Sequence, residues 1–341
     1  MRILAIESSC DETAAAVVVD GRQIRSNVIA SQGELHAGTG GVVPEVAARA
    51  HLRVLMPVVR QALADAEVRW NDLDAIAATA GPGLPGALVV GFNGARGIAY
   101  ARNLPLIPVD HIEGHVRANW LATDGSAEPP PLPALALVVS GGHTELLLMD
   151  KAGALHRLGG TRDDAAGEAF DKGAAILGLT YPGGPSIQAA AKDGDPEAVK
   201  FPRPLLHKSL DFSFSGVKTA LLYHLRGSGL TRPMPELSRA EVCDLAASYQ
   251  AAIVDCLVTK LRRAAEQFGS KALTIGGGVA RNELLRERIT SDPVLSELEQ
   301  VFPPMDLCSD NGAMVAGLGA HLFATGQVDD LRLDATATAR R

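Results

Sequence analysis

Apolar residues recur with two periods along this 341-residue chain, and the alternation between the two predicts its elements. Short apolar runs bounded by small polar residues read as strands, and longer stretches with apolar positions three and four apart read as helices. Residues 3–7, 13–19 and 24–29 form three successive strands, joined by Ser8-Ser9-Cys10-Asp11-Glu12 and by an Asp20-Gly21 hairpin turn. A helix from 45 to about 66 follows, then a strand at 74–80, a helix around 87–101, a strand at 106–109 and a helix opening after Asp110. Near residue 135 the three-strand pattern returns. Strands at 135–139 and 145–149 flank Ser140-Gly141-Gly142-His143-Thr144, and a third lies at 154–158. Helices at 164–177 and 241–266, a strand at 272–275 running into Gly276-Gly277-Gly278, and a last helix from about 311 to 324 complete the reading.

Two copies of a hairpin with a Ser/Gly-rich turn form the pattern of duplicated RNase H-like lobes, the actin, Hsp70 and sugar-kinase architecture. There the paired turns grip nucleotide phosphates through backbone N–H groups. The expected fold class is therefore α/β, with duplicated lobes and an active-site cleft between them; coincidence between two ordinary hairpins is the competing reading. Residues 1–121 are expected to form the N-terminal lobe, with the last helix a candidate to complete it. Residues 134–327 form the C-terminal lobe with a helical insertion. The Pro-rich segment 122–133 reads as linker or loop, and 328–341 as a frayed polar tail.

Composition narrows this little. The net charge of −7 argues against a surface that is wholly a nucleic-acid footprint, though not against a local basic patch. Cys10, Cys243, Cys256 and Cys308 form no CxxC pair, so free thiols in a reducing compartment are expected. Glu7 interrupts the N-terminus too early for a signal peptide, and Asn93 and Arg96 interrupt the longest apolar stretch. A soluble, cytoplasmic protein without a membrane span is the expectation.

The sharpest chemical signal is His111-Ile112-Glu113-Gly114-His115. Histidines at i and i+4 share a helical face and can reach one metal ion, although unliganded pairs at that spacing are common. A zinc protease would need HExxH or HxxEH. Glu113 instead lies two residues from each histidine, roughly 200° around the helix. A third, hard ligand is available in Asp310, whose competing role is capping the last helix together with Ser309 or Asn311. Two His and one Asp leave open positions and suit Fe(II) or Zn(II). Ser140-Gly141-Gly142-His143 and Gly276-Gly277-Gly278 allow close backbone approach to an anion, but tight turns would look the same. The segments Gly38-Thr39-Gly40-Gly41-Val42-Val43-Pro44-Glu45, between His36 and His51, and Asp211-Phe212-Ser213-Phe214-Ser215-Gly216-Val217-Lys218 read as active-site rim loops, with solvated connections as the bland alternative. Arg49, Arg53, Arg60 and Lys208 are the candidate phosphate contacts, with solvated helix face as the bland alternative.

Taken together these motifs resemble one family, the bacterial tRNA N6-adenosine threonylcarbamoyltransferases (TsaD). The resemblance runs in order from Ile6-Glu7-Ser8-Ser9-Cys10-Asp11-Glu12 through Gly40-Gly41-Val42-Val43-Pro44-Glu45, His111-x3-His115 and Ser140-Gly141-Gly142-His143. It continues through Asp164-Ala165-Ala166-Gly167-Glu168, Tyr181-Pro182-Gly183-Gly184, Phe212-Ser213-Phe214-Ser215-Gly216 and Gly276-Gly277-Gly278 to Ser309-Asp310-Asn311-Gly312. It implies transfer of a threonylcarbamoyl group from L-threonylcarbamoyladenylate to N6 of adenosine 37 in tRNAs reading codons that begin with A, with release of AMP. By position, His111, His115 and Asp310 would hold one metal, usually Fe(2+), with zinc or another divalent ion as the alternative. Val139, Ser140, Gly141, Gly142 and His143 would line the acyl-phosphate region, and Asp171, Gly184 and Asn282 would contact the adenylate. His143 is the candidate base, in competition with a substrate phosphate oxygen. Arg281 stands where many relatives have a smaller residue. TsaB and TsaE are the implied protein partners. An ATP-dependent kinase, a small-molecule carbamoyltransferase and a non-catalytic scaffold are the rival readings; the histidine pair, the chain length and the intact motifs count against them in turn.

Overall fold

Strand order carries the architecture. In the computed structural model, which describes residues 1–38, 40–206, 209–328 and 331–338, β1 (Arg2–Glu7), β2 (Glu12–Val19) and β3 (Gln23–Ser31) form an antiparallel meander. Strand β4 (Ala75–Gly81) adds parallel to β1, and β5 (Leu106–Asp110) parallel to β4, giving the order β3-β2-β1-β4-β5. A second sheet repeats the scheme. Here β6 (Ala134–Val139), β7 (Thr144–Met149) and β8 (Leu155–Gly160) are the meander, and β9 (Ala272–Gly276) and β10 (Glu299–Val301) are the parallel additions. Its order, β10-β9-β6-β7-β8, is the first order read from the other edge. The chain is thus an internal duplication of one α/β topology.

The sheets belong to two units, Met1–Pro129 with Pro303–Arg341, and Pro130–Phe302. In the first, successive side chains of a strand point to opposite faces, so each face needs its own cover. Leu4 and Ile6 of β1 pack under α2 (Pro44–Asp65) and α3 (Pro85–Arg102) with Leu55, Val59 and Phe92. Ile3 and Ala5 pack on the other side against Met314, Val315 and Leu318 of α10 (Gly312–Ala324). Short helices α1 (Gly33–Ala37) and α4 (His111–Arg117) complete the unit.

That packing corrects the expected boundaries. Residues 303–324 do not close the C-terminal lobe at 327; α10 supplies the apolar layer that one face of the first sheet lacks. The supposed linker is partly structured, since Ile24 donates from its N–H to the Ala122 carbonyl (2.9 Å). Nor is the tail frayed over 331–338. Leu331, Leu333 and Ala335 pack on the first unit's core, and the Thr336 N–H donates to the Ala80 carbonyl (2.7 Å).

The second unit holds α5 (Ala166–Ile176), α6 (Gly183–Ala191), α7 (Ser215–Arg226), α8 (Arg239–Phe268) and α9 (Glu283–Ser291). Helix α8 starts two residues before the expected 241, because Ser238 and Glu241 form a reciprocal capping box. It is long and apolar enough to cross a membrane, but 78% of its apolar window is buried within the protein, as in a core helix.

Candidate metal centre and glycine-rich turn

The Asp110 carboxylate caps α4, accepting from the Ile112 (2.9 Å) and Glu113 (3.1 Å) N–H groups, and so starts the helix at His111. One turn later His115 lies on the same face; the two rings meet edge to face with centroids 4.7 Å apart. Both Nε2 atoms converge on Asp310, at 3.7 Å for His111 and 3.1 Å for His115, and the three ligand atoms lie within 4.8 Å of one another. The rings are buried while Asp310 is only partly so. A buried N₂O set of this size fits a divalent Fe(II) or Zn(II) ion with positions left open.

The residue that sequence reasoning missed is Glu7. Its Oε2 lies 3.2 Å from His111 Nδ1 and accepts from the Thr79 hydroxyl (2.6 Å), and Ser9 Oγ lies 3.1 Å from the same ring nitrogen. A carboxylate behind a ligating histidine fixes the ring's tautomer and aim. In the sequence Glu7 stands within the first motif of the resemblance, but by residue type it shows only an acid closing an otherwise apolar strand. Burial of Glu7 disfavours its charge, but His111 outweighs this and holds the carboxyl below its usual range. Burial likewise opposes a charged His111, yet the Asp310 and Glu7 carboxylates push it up to about 9. Nearby Glu12 is pushed up to about 9 by burial and then by Asp310 and Asp11. The pocket is negative and favours a cation. The Nδ1 of His115 is buried without a hydrogen-bond partner among the described residues.

In the second unit, Ser140, Gly141, Gly142 and His143 form the tight turn between β6 and β7. The Ser140 N–H donates to the His143 carbonyl (2.8 Å), and the His143 N–H to Ser140 Oγ (3.2 Å). Helix α5 is docked directly on this turn. Its Gly167 N–H donates to the Ser140 carbonyl (3.1 Å), and the Ala166 N–H to Thr144 Oγ1 (2.9 Å). A Cβ at Gly167 would lie 2.5 Å from the Ser140 oxygen, so only glycine permits the approach. Gly141 and Gly142 are exposed, and nothing lies within 4 Å of where their Cβ atoms would be. Val139 is fully buried behind the turn, and His143 is half-buried.

The remaining candidates separate. Asp171 Oδ1 accepts from the Gly183 N–H (2.7 Å), tying α5 to the start of α6, where Gly184 faces open space. Asn282 is already engaged at both ends: Oδ1 caps α9 through the Leu285 N–H (3.0 Å), and Nδ2 donates to Gln250 Oε1 (2.8 Å). Arg281 beside it is exposed. The rim-loop histidines are internal ties. His51 reaches Thr13 Oγ1 (2.7 Å) and the Cys10 carbonyl (2.9 Å), and His36 reaches Gln32 Oε1 (3.2 Å). Phe212 and Phe214 are buried and stacked, whereas Ser213 and Ser215 both donate to Asp163. Arg49 is paired with Glu45, and Arg53 and Arg60 are exposed; Thr39 and Lys208 lie outside the described residues.

A family profile described as TsaD, tRNA N6-adenosine threonylcarbamoyltransferase, matches residues 23–317. The tRNA N6-adenosine threonylcarbamoyltransferase of Trichlorobacter lovleyi is 52% identical over 340 residues, spanning 99% of this chain and 96% of that protein. The protein of the same name from Thermomicrobium roseum is 49% identical over 353 aligned positions, spanning 99% and 96%. Among solved structures, T. kodakarensis HypF superposes with a TM-score of 0.62 at 17% identity, over 96% of this chain and 48% of that one. The (R)-2-hydroxyglutaryl-CoA dehydratase component A of Acidaminococcus fermentans gives 0.54 at 15% identity, over 95% and 99%. At such identities the likeness is one of fold alone, the duplicated α/β architecture.

Proposed function

This chain belongs to the TsaD family of tRNA N6-adenosine threonylcarbamoyltransferases, and from that premise we propose which residues carry the reaction and on which donor. It is a transferase of tRNA modification. The donor we propose is L-threonylcarbamoyladenylate, the acceptor N6 of adenosine 37, and the leaving group AMP. An exocyclic adenine amine is a weak nucleophile, so the carbonyl it attacks must arrive activated, as a mixed anhydride with phosphate is.

The convergence of His111, His115 and Asp310 is the observation that carries this reading. These residues would hold one divalent ion, Fe(2+) first and zinc as the alternative, and when bound the ion supplies Lewis acidity toward a carbonyl or phosphoryl oxygen. Glu7 keeps the His111 ring aimed. The open backbone at Gly141 and Gly142, behind Val139 and Ser140, offers N–H donors to phosphate charge as it develops. Asp171 and Gly184 take part in adenylate binding. Asn282, which also caps α9, is the third proposed adenylate contact. His143 is the candidate base. TsaB and TsaE are the proposed protein partners, and the cytoplasm the proposed location.

The test combines the purified protein with TsaB, TsaE, threonylcarbamoyladenylate and tRNA, and measures N6-threonylcarbamoyladenosine and AMP. Modified adenosine with stoichiometric AMP is expected, and its loss together with bound metal in His111→Ala. Full activity of a metal-free His111→Ala protein would overturn the metal assignment. Absence of product with the wild-type protein would overturn the donor assignment.

A further inference from the structure

The third ligand, Asp310, sits in a loop just ahead of α10, and something must set where that loop ends. Helix α10, like every helix, begins with four N–H groups that have no partner inside the helix. Asn311, its own cap, satisfies one of them, accepting from Met314 (2.9 Å), while its amide donates back to the Leu307 (3.2 Å) and Ser309 (2.8 Å) carbonyls. Two more are held from elsewhere. The Gly312 (3.1 Å) and Ala313 (3.3 Å) N–H groups both donate to Oδ1 of Asn27, a residue of β3 and 285 positions away from Gly312.

The geometry around this bond leaves little play. Asn27 is paired in register with Ala16 of β2, and a Cβ at Gly312 would lie 2.6 Å from the Ala16 nitrogen and 2.7 Å from the Ala15 carbonyl carbon. The first turn of α10 is therefore pressed onto β2, at the height where Asn27 reaches across from the neighbouring strand. Asp310 is two residues from one of the N–H groups that Asn27 holds. Its distances to the two histidines follow where that turn is pinned, since His111 and His115 stand on α4, which starts from β5 and packs on α10 one turn further in, where a Cβ at Gly114 would lie 3.5 Å from Met314 Cγ.

We propose that Asn27 is a positioning residue for the metal centre: by capping α10 from the sheet it places the Asp310 carboxylate against His111 and His115. The inference rests on the assignment of those three residues as ligands. It differs from an ordinary cap, which would stabilise the helix without affecting what the preceding loop binds.

The experiment titrates full-length protein with Co²⁺ alone. It reads the affinity and the visible absorption bands that report coordination geometry, with the thermal midpoint of each variant recorded alongside. Asn27→Leu, close in size but without an acceptor, is expected to bind Co²⁺ about tenfold more weakly, the lower end for a residue behind a ligand, with altered bands. Asn27→Asp keeps the acceptor and is expected to stay within about threefold of wild type in affinity, with wild-type bands. Asn27→Ser, a milder loss of reach, serves if the leucine variant does not fold. A lowered melting temperature with unchanged Co²⁺ affinity and bands would overturn the proposal and leave Asn27 a plain cap. His111→Ala separates the two levels of inference. If it binds Co²⁺ as the wild type does, or the wild type binds none, the ligand assignment fails and the role of Asn27 fails with it. If only His111→Ala loses Co²⁺, the role of Asn27 alone is wrong.

Discussion

Replacing Gly167 by alanine is expected to disable transfer while leaving metal uptake intact. The added Cβ would stand 2.5 Å from the Ser140 oxygen, 2.7 Å from its carbonyl carbon and 2.8 Å from Gly141 Cα. All three are backbone atoms, so no side chain can rotate away. Ordinary contact begins at 3.4 Å, and 3.4 − 2.5 gives 0.9 Å by which the α5 terminus and the turn must part. That separation stretches the 3.1 Å bond from Gly167 to Ser140, worth about 1 kcal/mol. Overpacking adds about 1–3 kcal/mol, and the better helix propensity of alanine returns up to about 1 kcal/mol. The net loss of stability is about 1–4 kcal/mol, which a folded unit can survive. The effect on catalysis should be larger, since misplacing a binding group by about 1 Å can cost about a hundredfold in rate. The assay is kcat/KM for transfer to tRNA, with Co²⁺ affinity and the thermal midpoint as controls. Near-wild-type transfer in a variant with a normal melting curve would show that the turn's position does not matter, and the proposed role of Gly141 and Gly142 would go with it.

Three further outcomes follow from the structure. Glu7→Gln keeps the size of the side chain but removes the charge behind His111, and should weaken metal binding about 10–100-fold in a competition titration; unchanged affinity would show that His111 is aimed by Ser9 alone. Burial works against the charges of Asp163 and Asp164, but the Ser213 hydroxyl and Phe214 N–H hold the first below its usual 3.8, and Lys172 and Lys218 hold the second. A depressed carboxylate stabilises above its unfolded pKa and loses that contribution as pH falls through the folded one, so stability should drop below about pH 4. Melting curves of Asp163→Asn should show a shallower acid slope than wild type, and parallel slopes would refute the assignment. Truncation after Val328 strips Leu331, Leu333 and Ala335 from the first core, for about 2 kcal/mol and a fall of about 4–8 °C in Tm; an unchanged Tm would mean the tail adds nothing to that core.

How much of this was legible in the sequence depended on whether a signal and its partner lay close together. The meanders and long helices were readable because strand period and helix period are local properties. The start of α8 was marked within four residues by Ser238 and Glu241. Helix α7 went unread for the opposite reason. The N–H groups of Phe214 and Ser215 at its start are held by Asp163, 51 and 52 residues earlier, so no capping residue stands at its own N-terminus. The site divides the same way. The His111 and His115 pair is a spacing within one helix, visible at once. Glu7 lies 104 residues from the ring it orients, and a lone acid ending an apolar strand says nothing of its partner.

Duplication also explains why one topology serves two kinds of chemistry. In each unit the first strand of the meander ends at the turn into the second, at Glu7 opposite Ala14 and at Val139 opposite Thr144. At the first position the side chain is a buried carboxylate facing a histidine, and with the Asp310 carboxylate close to the same ring the region is favourable to a cation. At the second it is an apolar valine, followed by buried Ser140 and two exposed glycines and backed by the start of a helix, with no acid among the turn's own residues. Backbone N–H groups at such a turn favour an anion. Topology sets where a strand ends, and the residue type at that end decides the sign of the charge it attracts. Exchanging that character should therefore abolish one kind of binding without disturbing the fold. Gly141→Asp, on an exposed turn with open space around its Cβ, should retain the wild-type melting curve and Co²⁺ affinity while losing adenylate binding measured by calorimetry. Retained adenylate affinity would place the anion elsewhere.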